Sequence, residues 1–258
     1  MQLSSFAKAD LTGRTITVTG GAGGIGKAAA LLCAARGANV VVADLDEAGG
    51  KAVVGEIGAA GGAADFVRTD VTSEDAVAAM VAFAVSRFGG LDGAFNNAGT
   101  MTGNVALTDF PRDRWERGLT INLTSVFLCI KHQVRHMLDH GGGAIVNNAS
   151  ASGAVGIPMA VNYVATKHGV VGITRAGAAE FSGRGIRINA LLPGAVETPL
   201  LAEALQTPEV RQVVEAGHPI GRIASPGEIA EAAAWLLSDS ASFMTGACVA
   251  IDGGYTAL

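Results

Sequence analysis

The segment Gly20-Gly-Ala-Gly-Gly-Ile-Gly26 constrains the fold more than any other part of this chain. It follows the β-branched run Arg14-Thr-Ile-Thr-Val-Thr19 and precedes the Ala/Leu-rich stretch Lys27 to Arg36. That order reads as strand, glycine turn, helix. Glycines let the backbone approach a pyrophosphate closely, and the helix start offers unpaired N–H groups and a dipole that favours anions. Methyltransferases and plain turns also use glycine runs, so the surrounding chain has to decide. A second strand, Asn39 to Ala43, ends at Asp44, eighteen residues beyond Gly26. A dinucleotide-binding βαβ unit places its ribose-binding acid there. No Arg or Lys lies in the turn or directly after this strand, and a carboxylate repels a 2′-phosphate, so the reading is NAD over NADP. A solvated strand-end acid is the other reading of Asp44.

Further along, Ala63 to Arg68 reads as a third strand ending at Asp70-Val71, and Ser73 to Phe88 as a helix with Ser73 as its N-cap. Leu91 to Phe95 is a fourth strand leading into Asn96-Asn-Ala-Gly99. This β/α alternation predicts an α/β fold with a doubly wound parallel sheet. With 258 residues, 49% of them hydrophobic and 16% charged, the chain suits one domain, 1–258, with a large core. A net charge of -5 without a basic block argues against nucleic acid or an anionic membrane as partner. Cys33, Cys129 and Cys248 are scattered, which suits free thiols in a reducing compartment. Met1 to Asp10 carries no apolar leader and no run is long enough to span a bilayer, so the expected location is cytoplasmic.

The candidate chemistry sits at Tyr163-Val-Ala-Thr-Lys167. Four residues apart in a helix, the phenol and the ammonium share a face, and a nearby positive charge favours the phenolate over its ordinary value near ~10. The three motifs Thr19-Gly-Gly-Ala-Gly-Gly-Ile-Gly26, Asn96-Asn-Ala-Gly99 and Tyr163-x-x-x-Lys167, in this order, resemble those of the short-chain dehydrogenase/reductase family. The resemblance runs from about Leu11 to Asp252-Gly-Gly254 and implies a Rossmann domain with strand order 3-2-1-4-5-6-7 and a tetramer. It further implies Ser150, Tyr163, Lys167 and Asn122 as catalytic residues. Asn122 would bend its helix and hold a water that continues a proton relay from Lys167. The cofactor would lie on Gly20, Gly23, Gly24, Ile25 and Gly26, on Asp44 and Leu45, and on Asp70 and Val71. It would then run past Asn97, Ala98 and Gly99 to Tyr163, Lys167, Pro193 and Gly194, with Val196 and Thr198 reaching the carboxamide.

Ser152 competes with Ser150. Ser150 directly follows the fifth strand, Ala144 to Asn148, and lies thirteen residues before Tyr163, the separation found in the family. Phe110 to Asp139 reads as one long helix, and Val161 to Ser182 as the helix bearing the Tyr/Lys pair. Small residues Ala165, Gly169, Gly172, Ala176 and Ala179 on the latter suit close packing, against a neighbouring helix or a second subunit. His132, His136 and His140 have metal-pair spacing but no third ligand, and no metal is expected. A sixth strand runs from Ile186 to Leu192, a helix from Pro226 to Leu237 and a last strand from Gly246 to Ile251. Pro199 to Ala224 is the least regular stretch, a candidate substrate lid over 199–225. Met101, Ser152, Val155, Met159, Asn162, Leu200 and Leu201 are the candidate substrate wall around Ser150 and Tyr163. The activity these residues imply is hydride transfer between NAD and a secondary alcohol/ketone pair, with a ring substrate favoured. Reduction of a 3-oxoacyl thioester is an alternative, and a catalytically idle nucleotide sensor is another. A methyltransferase would leave the Tyr/Lys and Asn-Asn-Ala-Gly motifs unexplained.

Overall fold

In the computed structural model, the described residues are 9–101, 104–202 and 204–257. Met1 to Lys8, where no leader is expected, and Glu203 of the candidate lid stretch lie outside them. Seven strands form one parallel sheet in the order β3-β2-β1-β4-β5-β6-β7. They are β1 (Thr15–Thr19), β2 (Asn39–Asp44), β3 (Ala63–Arg68), β4 (Gly93–Asn96), β5 (Gly143–Asn148), β6 (Ile186–Pro193) and β7 (Cys248–Ile251). The sheet is covered on both faces, which is why β1, β2, β4 and β5 are continuous buried runs rather than alternating ones. On one face lie α1 (Gly24–Ala35), α2 (Glu47–Ala59) and α9 (Pro226–Leu237), packed through residues such as Ala29, Ala30, Val53, Ile57, Ala233 and Leu237. On the other lie α3 (Glu74–Phe88), α5 (Ser125–Asp139) and α6 (Val161–Phe181), through Met80, Val126, Met137 and Val170. Among the described residues no helix is long and apolar enough to cross a membrane.

The long helix read from Phe110 is not uniform. It begins as α4 (Arg112–Leu119), opens into a π turn over Thr120–Thr124, and continues as α5. The cause is Asn122, whose side chain makes two hydrogen bonds to Thr100, accepting from its N–H (2.8 Å) and donating to its carbonyl (2.9 Å). A π turn accommodates the extra residue this pull requires, and such turns concentrate at functional sites. Asn122 is fully buried, and the helix deforms at it as a π turn.

The stretch after β6 is also more regular than its three prolines suggest. Pro199 opens α7 (Pro199–Ala202) and Pro208 opens α8 (Pro208–Ala216), because a proline at the first helical position loses no hydrogen bond. Pro219 follows the end of α8.

Beneath the strand ends runs a buried polar chain. Asn96 and Gln133 exchange amide hydrogen bonds of 3.0 and 2.8 Å, Asn96 also donates to Asn147 (3.0 Å), and Asn147 donates to Thr174 (2.9 Å). It ties β4 and β5 to α5 and α6 and leaves no amide of the four-residue set unpaired. Replacing Gln133 with Ala strands the Asn96 amide in the core, which should cost about 2–4 kcal/mol in urea unfolding. A loss below ~1 kcal/mol would show the chain to be dispensable.

Candidate active site

The parallel sheet delivers every strand to one edge, and the site is assembled there. The glycine turn after β1 is shaped by close backbone approach: a Cβ at Gly26 would sit 2.0 Å from the Gly20 carbonyl oxygen, and Gly20 itself has φ +64°. Asn97 braces the turn by donating from Nδ2 to the Thr19 and Gly20 carbonyls, while the Thr19 hydroxyl accepts the N–H groups of Asn97 and Ala98. Gly23 faces open space at the start of α1. Asp44 at the end of β2 accepts the N–H of Ala22 in the turn (3.0 Å) and of Asp46 (3.0 Å), so its carboxylate is fixed beside the glycines. Asp70, with Val71 behind it, is locked by the N–H and hydroxyl of Thr72, which hold its carboxyl below the usual range.

Tyr163 and Lys167 stand on α6 opposite this turn. The Lys167 Nζ is buried, 5% exposed, and donates to the Asn148 carbonyl at the end of β5 (2.8 Å). It lies 5.4 Å from the centre of the Tyr163 ring. Burial pushes the ammonium down to about 8. Burial also raises the Tyr163 phenol above its ordinary value, and a hydrogen bond with the Ser150 side chain partly offsets this. The lowering of Tyr163 expected from Lys167 is not seen; desolvation dominates and the opposing effect comes from Ser150. Gly99 sits between the two helices: a Cβ there would meet Asn122 Oδ1 at 3.2 Å and Lys167 Nζ at 3.8 Å. Of the two serines, Ser150 is half-buried and acts on the Tyr163 phenol, whereas Ser152 is 3% exposed and donates its N–H to the Ser150 hydroxyl. Ser150, Tyr163, Lys167 and Asn122 therefore converge on one point.

Comparison with known proteins identifies the family. A family profile described as Enoyl-(Acyl carrier protein) reductase matches residues 20–256. A 2,5-dichloro-2,5-cyclohexadiene-1,4-diol dehydrogenase of Sphingobium indicum is 49% identical over 96% of this chain and 99% of its own. The chain belongs to the short-chain dehydrogenase/reductase family. A cis-4-hydroxycyclohexanecarboxylate dehydrogenase of Sinomonas cyclohexanicum is 47% identical over 95% of this chain and 97% of that one. The crystal structure of levodione reductase superimposes with a TM-score of 0.90 at 38% identity, covering 96% of this chain and 99% of the other.

Membership in this short-chain family implies a nicotinamide cofactor, and the residues present fit one. Open space at Gly23, the fixed Asp44 carboxylate and the exposed Gly99 all lie at the strand-end edge, on either side of the Asn97–Ala98 bend. Ile25 and Leu45 flank its two ends of turn and strand, Leu45 being 54% exposed. Beyond β6, Gly194 is half-buried, Val196 is buried, and the Thr198 hydroxyl bonds the Val196 carbonyl (3.3 Å). Thr198 leans toward Gly24, whose imagined Cβ would meet Thr198 Cγ2 at 3.3 Å, so the loop from Pro193 closes over the glycine turn.

Several placements differ from the sequence reading. Asn162 does not line a cleft: it is fully buried and donates to the Trp115 carbonyl (2.7 Å), tying α6 to α4. It directly precedes Tyr163 in sequence and so stands on a different helical face. Ser152 is likewise behind the surface. Met101, Met159 and Leu200 are 44, 49 and 50% exposed, with Val155 and Leu201 half-buried, as an unfilled rim requires. Met159 carries φ +63°, and its carbonyl accepts the N–H groups of Asn104 and Val105, which joins the loops after β4 and β5. An apolar hollow of about 480 Å³ next to Met159, lined also by Leu107, Val164 and His168, contains neither Ser150 nor Tyr163. Its α6 residues Val161, Val164, Ala165 and His168 lie on a different face of that helix from Tyr163 and Lys167, with Met159 shared between the hollow and the rim.

Sequence reading also missed Arg68. It ends β3 in register with Asp44, and its charge contributes to lowering Glu47 and Asp70. The cue was available only through strand pairing. His132 pairs with Glu74 and His136 stacks on His140, and no group of three or more metal-ligating side chains occurs among the described residues.

Lys167 generates a pH prediction. The unfolded chain keeps this proton to about its ordinary 10.5, while the folded site releases it near 8. Folding is therefore penalised below pH 8, and the penalty fades as pH rises toward 10.5. Lys167→Met should gain up to roughly 3 kcal/mol over wild type at neutral pH, less the cost of the stranded Asn148 carbonyl. The gain should shrink in alkaline thermal unfolding. A difference independent of pH would refute the buried, depressed ammonium.

Proposed function

We propose that this protein is an NAD-dependent dehydrogenase of secondary alcohols, acting on a ring alcohol and its ketone. The observation that carries the proposal is the buried Lys167 Nζ, held on the Asn148 carbonyl 5.4 Å from the centre of the Tyr163 ring, with Ser150 opposing the effect of burial on that phenol. Both relatives named above carry ring alcohols in their names, at 49 and 47% identity over nearly the full chain, which supports the ring preference. The apolar rim of Met101, Met159, Leu200 and Leu201 suits such a substrate.

When bound, the oxidised nicotinamide supplies the hydride acceptor and a positive charge beside the phenol. In that setting Tyr163 as phenolate takes the alcohol proton, and Ser150 holds the substrate oxygen as its charge changes. Lys167 binds the ribose hydroxyls and passes the proton toward water at Asn122, where the π turn loosens the backbone carbonyls. In the reverse direction Tyr163, held neutral by burial, is already the acid that a ketone needs. Asp44 takes the adenosine ribose hydroxyls and disfavours a 2′-phosphate. The chain acts as one domain, 1–258, with 199–225 as its substrate lid. Exposed Gly172, Ala176 and Ala179 on α6 support a homo-oligomer, a tetramer by family analogy, and the unpaired cysteines support a cytoplasmic setting.

Tyr163→Phe tests the acid/base role. It should lower kcat by roughly a thousandfold while the NAD dissociation constant, read from protein fluorescence, stays within about twofold. A Phe variant that turns over normally would refute the mechanism. For cofactor choice, kcat/KM with NAD should exceed that with NADP by at least ~tenfold through the repulsion at Asp44. An equal or inverted ratio would assign Arg68 to the 2′-phosphate instead.

A further inference from the structure

His218 lies between α8 and the C-terminal tail, outside the catalytic cluster, yet it is only 6% exposed and both ring nitrogens are engaged. Nδ1 is 2.7 Å from the Val214 carbonyl of α8, and Nε2 is 3.0 Å from the Ala195 N–H of the loop after β6. A carbonyl can only accept and an N–H can only donate. The imidazole is therefore the neutral form with its hydrogen on Nδ1 and a bare Nε2. The fit is close: a Cβ on Gly194 would come within 2.6 Å of Nε2 and 3.0 Å of the Asp252 Cα. Tyr255 packs on the ring at 5.2 Å between centroids, and the Ile220 N–H donates to the Gly253 carbonyl (3.0 Å). Lid helix, tail and post-β6 loop thus meet on one side chain.

We propose that His218 is a positioning residue that fixes the Gly194–Val196 loop relative to the lid, and through it the cofactor. The proposal rests on the reading of Val196 and Thr198 as the nicotinamide contacts. Ala195 directly precedes Val196, whose segment is held on its other side by the Glu197 N–H to the Ala224 carbonyl (2.9 Å) and the Ala224 N–H to the Ala195 carbonyl (3.0 Å). The Ala224 ladder fixes the loop to the last residues of the lid stretch, after its helix has ended. The His218 bond fixes it to the lid helix itself, so a lid displaced over substrate carries the loop with it.

Two substitutions separate this role from simple capping of α8. His218→Gln places an acceptor where Nε2 stands and gives up the bond to Val214; His218→Asn keeps a donor for Val214 but cannot reach Ala195. Steady-state kinetics with the wild-type enzyme and both variants, alongside thermal unfolding, should raise KM for NAD by roughly tenfold in the Asn variant. The Gln variant should stay within about twofold of wild type. Equal defects, or a defect confined to the Gln variant, would overturn the proposal and leave His218 a helix cap. Nitrogen NMR of the wild-type imidazole needs no variant: a neutral ring with its hydrogen on Nδ1 is expected, and the opposite tautomer or an imidazolium would overturn the assignment. A wild-type protein that neither binds nor turns over NAD would instead defeat the underlying cofactor reading, with the NMR result unaffected.

Discussion

A buried ammonium is the constraint on which the rest of this structure depends. Lys167 is taken almost wholly out of water and its depressed affinity for its proton records the cost. What holds it is the backbone carbonyl of Asn148, at the point where β5 leaves the sheet. That bond fixes α6 to the strand edge and so sets where Tyr163 can be. Asn148 is fixed in turn, because its Nδ2 donates to Asn97 (2.9 Å), the residue that braces the glycine turn. A line of polar contacts thus runs from the first strand to the catalytic helix, crossing the ends of β1, β4 and β5.

The same economy explains the π turn. Asn122 could have been an exposed mid-helix residue; instead its amide closes on Thr100 and the helix deforms around it. The deformation brings its side chain to Gly99, where Lys167 also arrives. Gly99, Lys167 and Asn122 therefore share one small volume, the last two carried by helical elements. Met101 and Met159 lie on loops and Leu200 on the short α7, all three open to solvent.

What could be read directly from the chain was whatever depends on local spacing. The glycine turn, Asp44 at its distance from Gly26 and the Tyr163/Lys167 pair are all set by residues near one another in sequence, and the sheet order followed from the family those motifs resemble. What escaped depends on pairing across the fold. Arg68 becomes relevant only because β3 lies beside β2 in register with Asp44. Asn162 neighbours Tyr163 in sequence but turns to Trp115. The stretch after β6 looked irregular because Pro199 and Pro208 read as breaks, whereas each begins a helix. His218 is uninformative alone, since both of its partners are defined by tertiary packing.

The account makes the strand-edge cluster a machine for moving a proton off a ring alcohol while the apolar rim selects the ring. Its central claim is tested most directly by following reduced-cofactor absorbance across a panel of cyclic and open-chain secondary alcohols, diols and sugars. The account predicts turnover with NAD that is concentrated among the cyclic secondary alcohols. A flat panel with NAD and NADP alike would contradict it and favour a nucleotide-binding protein without catalysis.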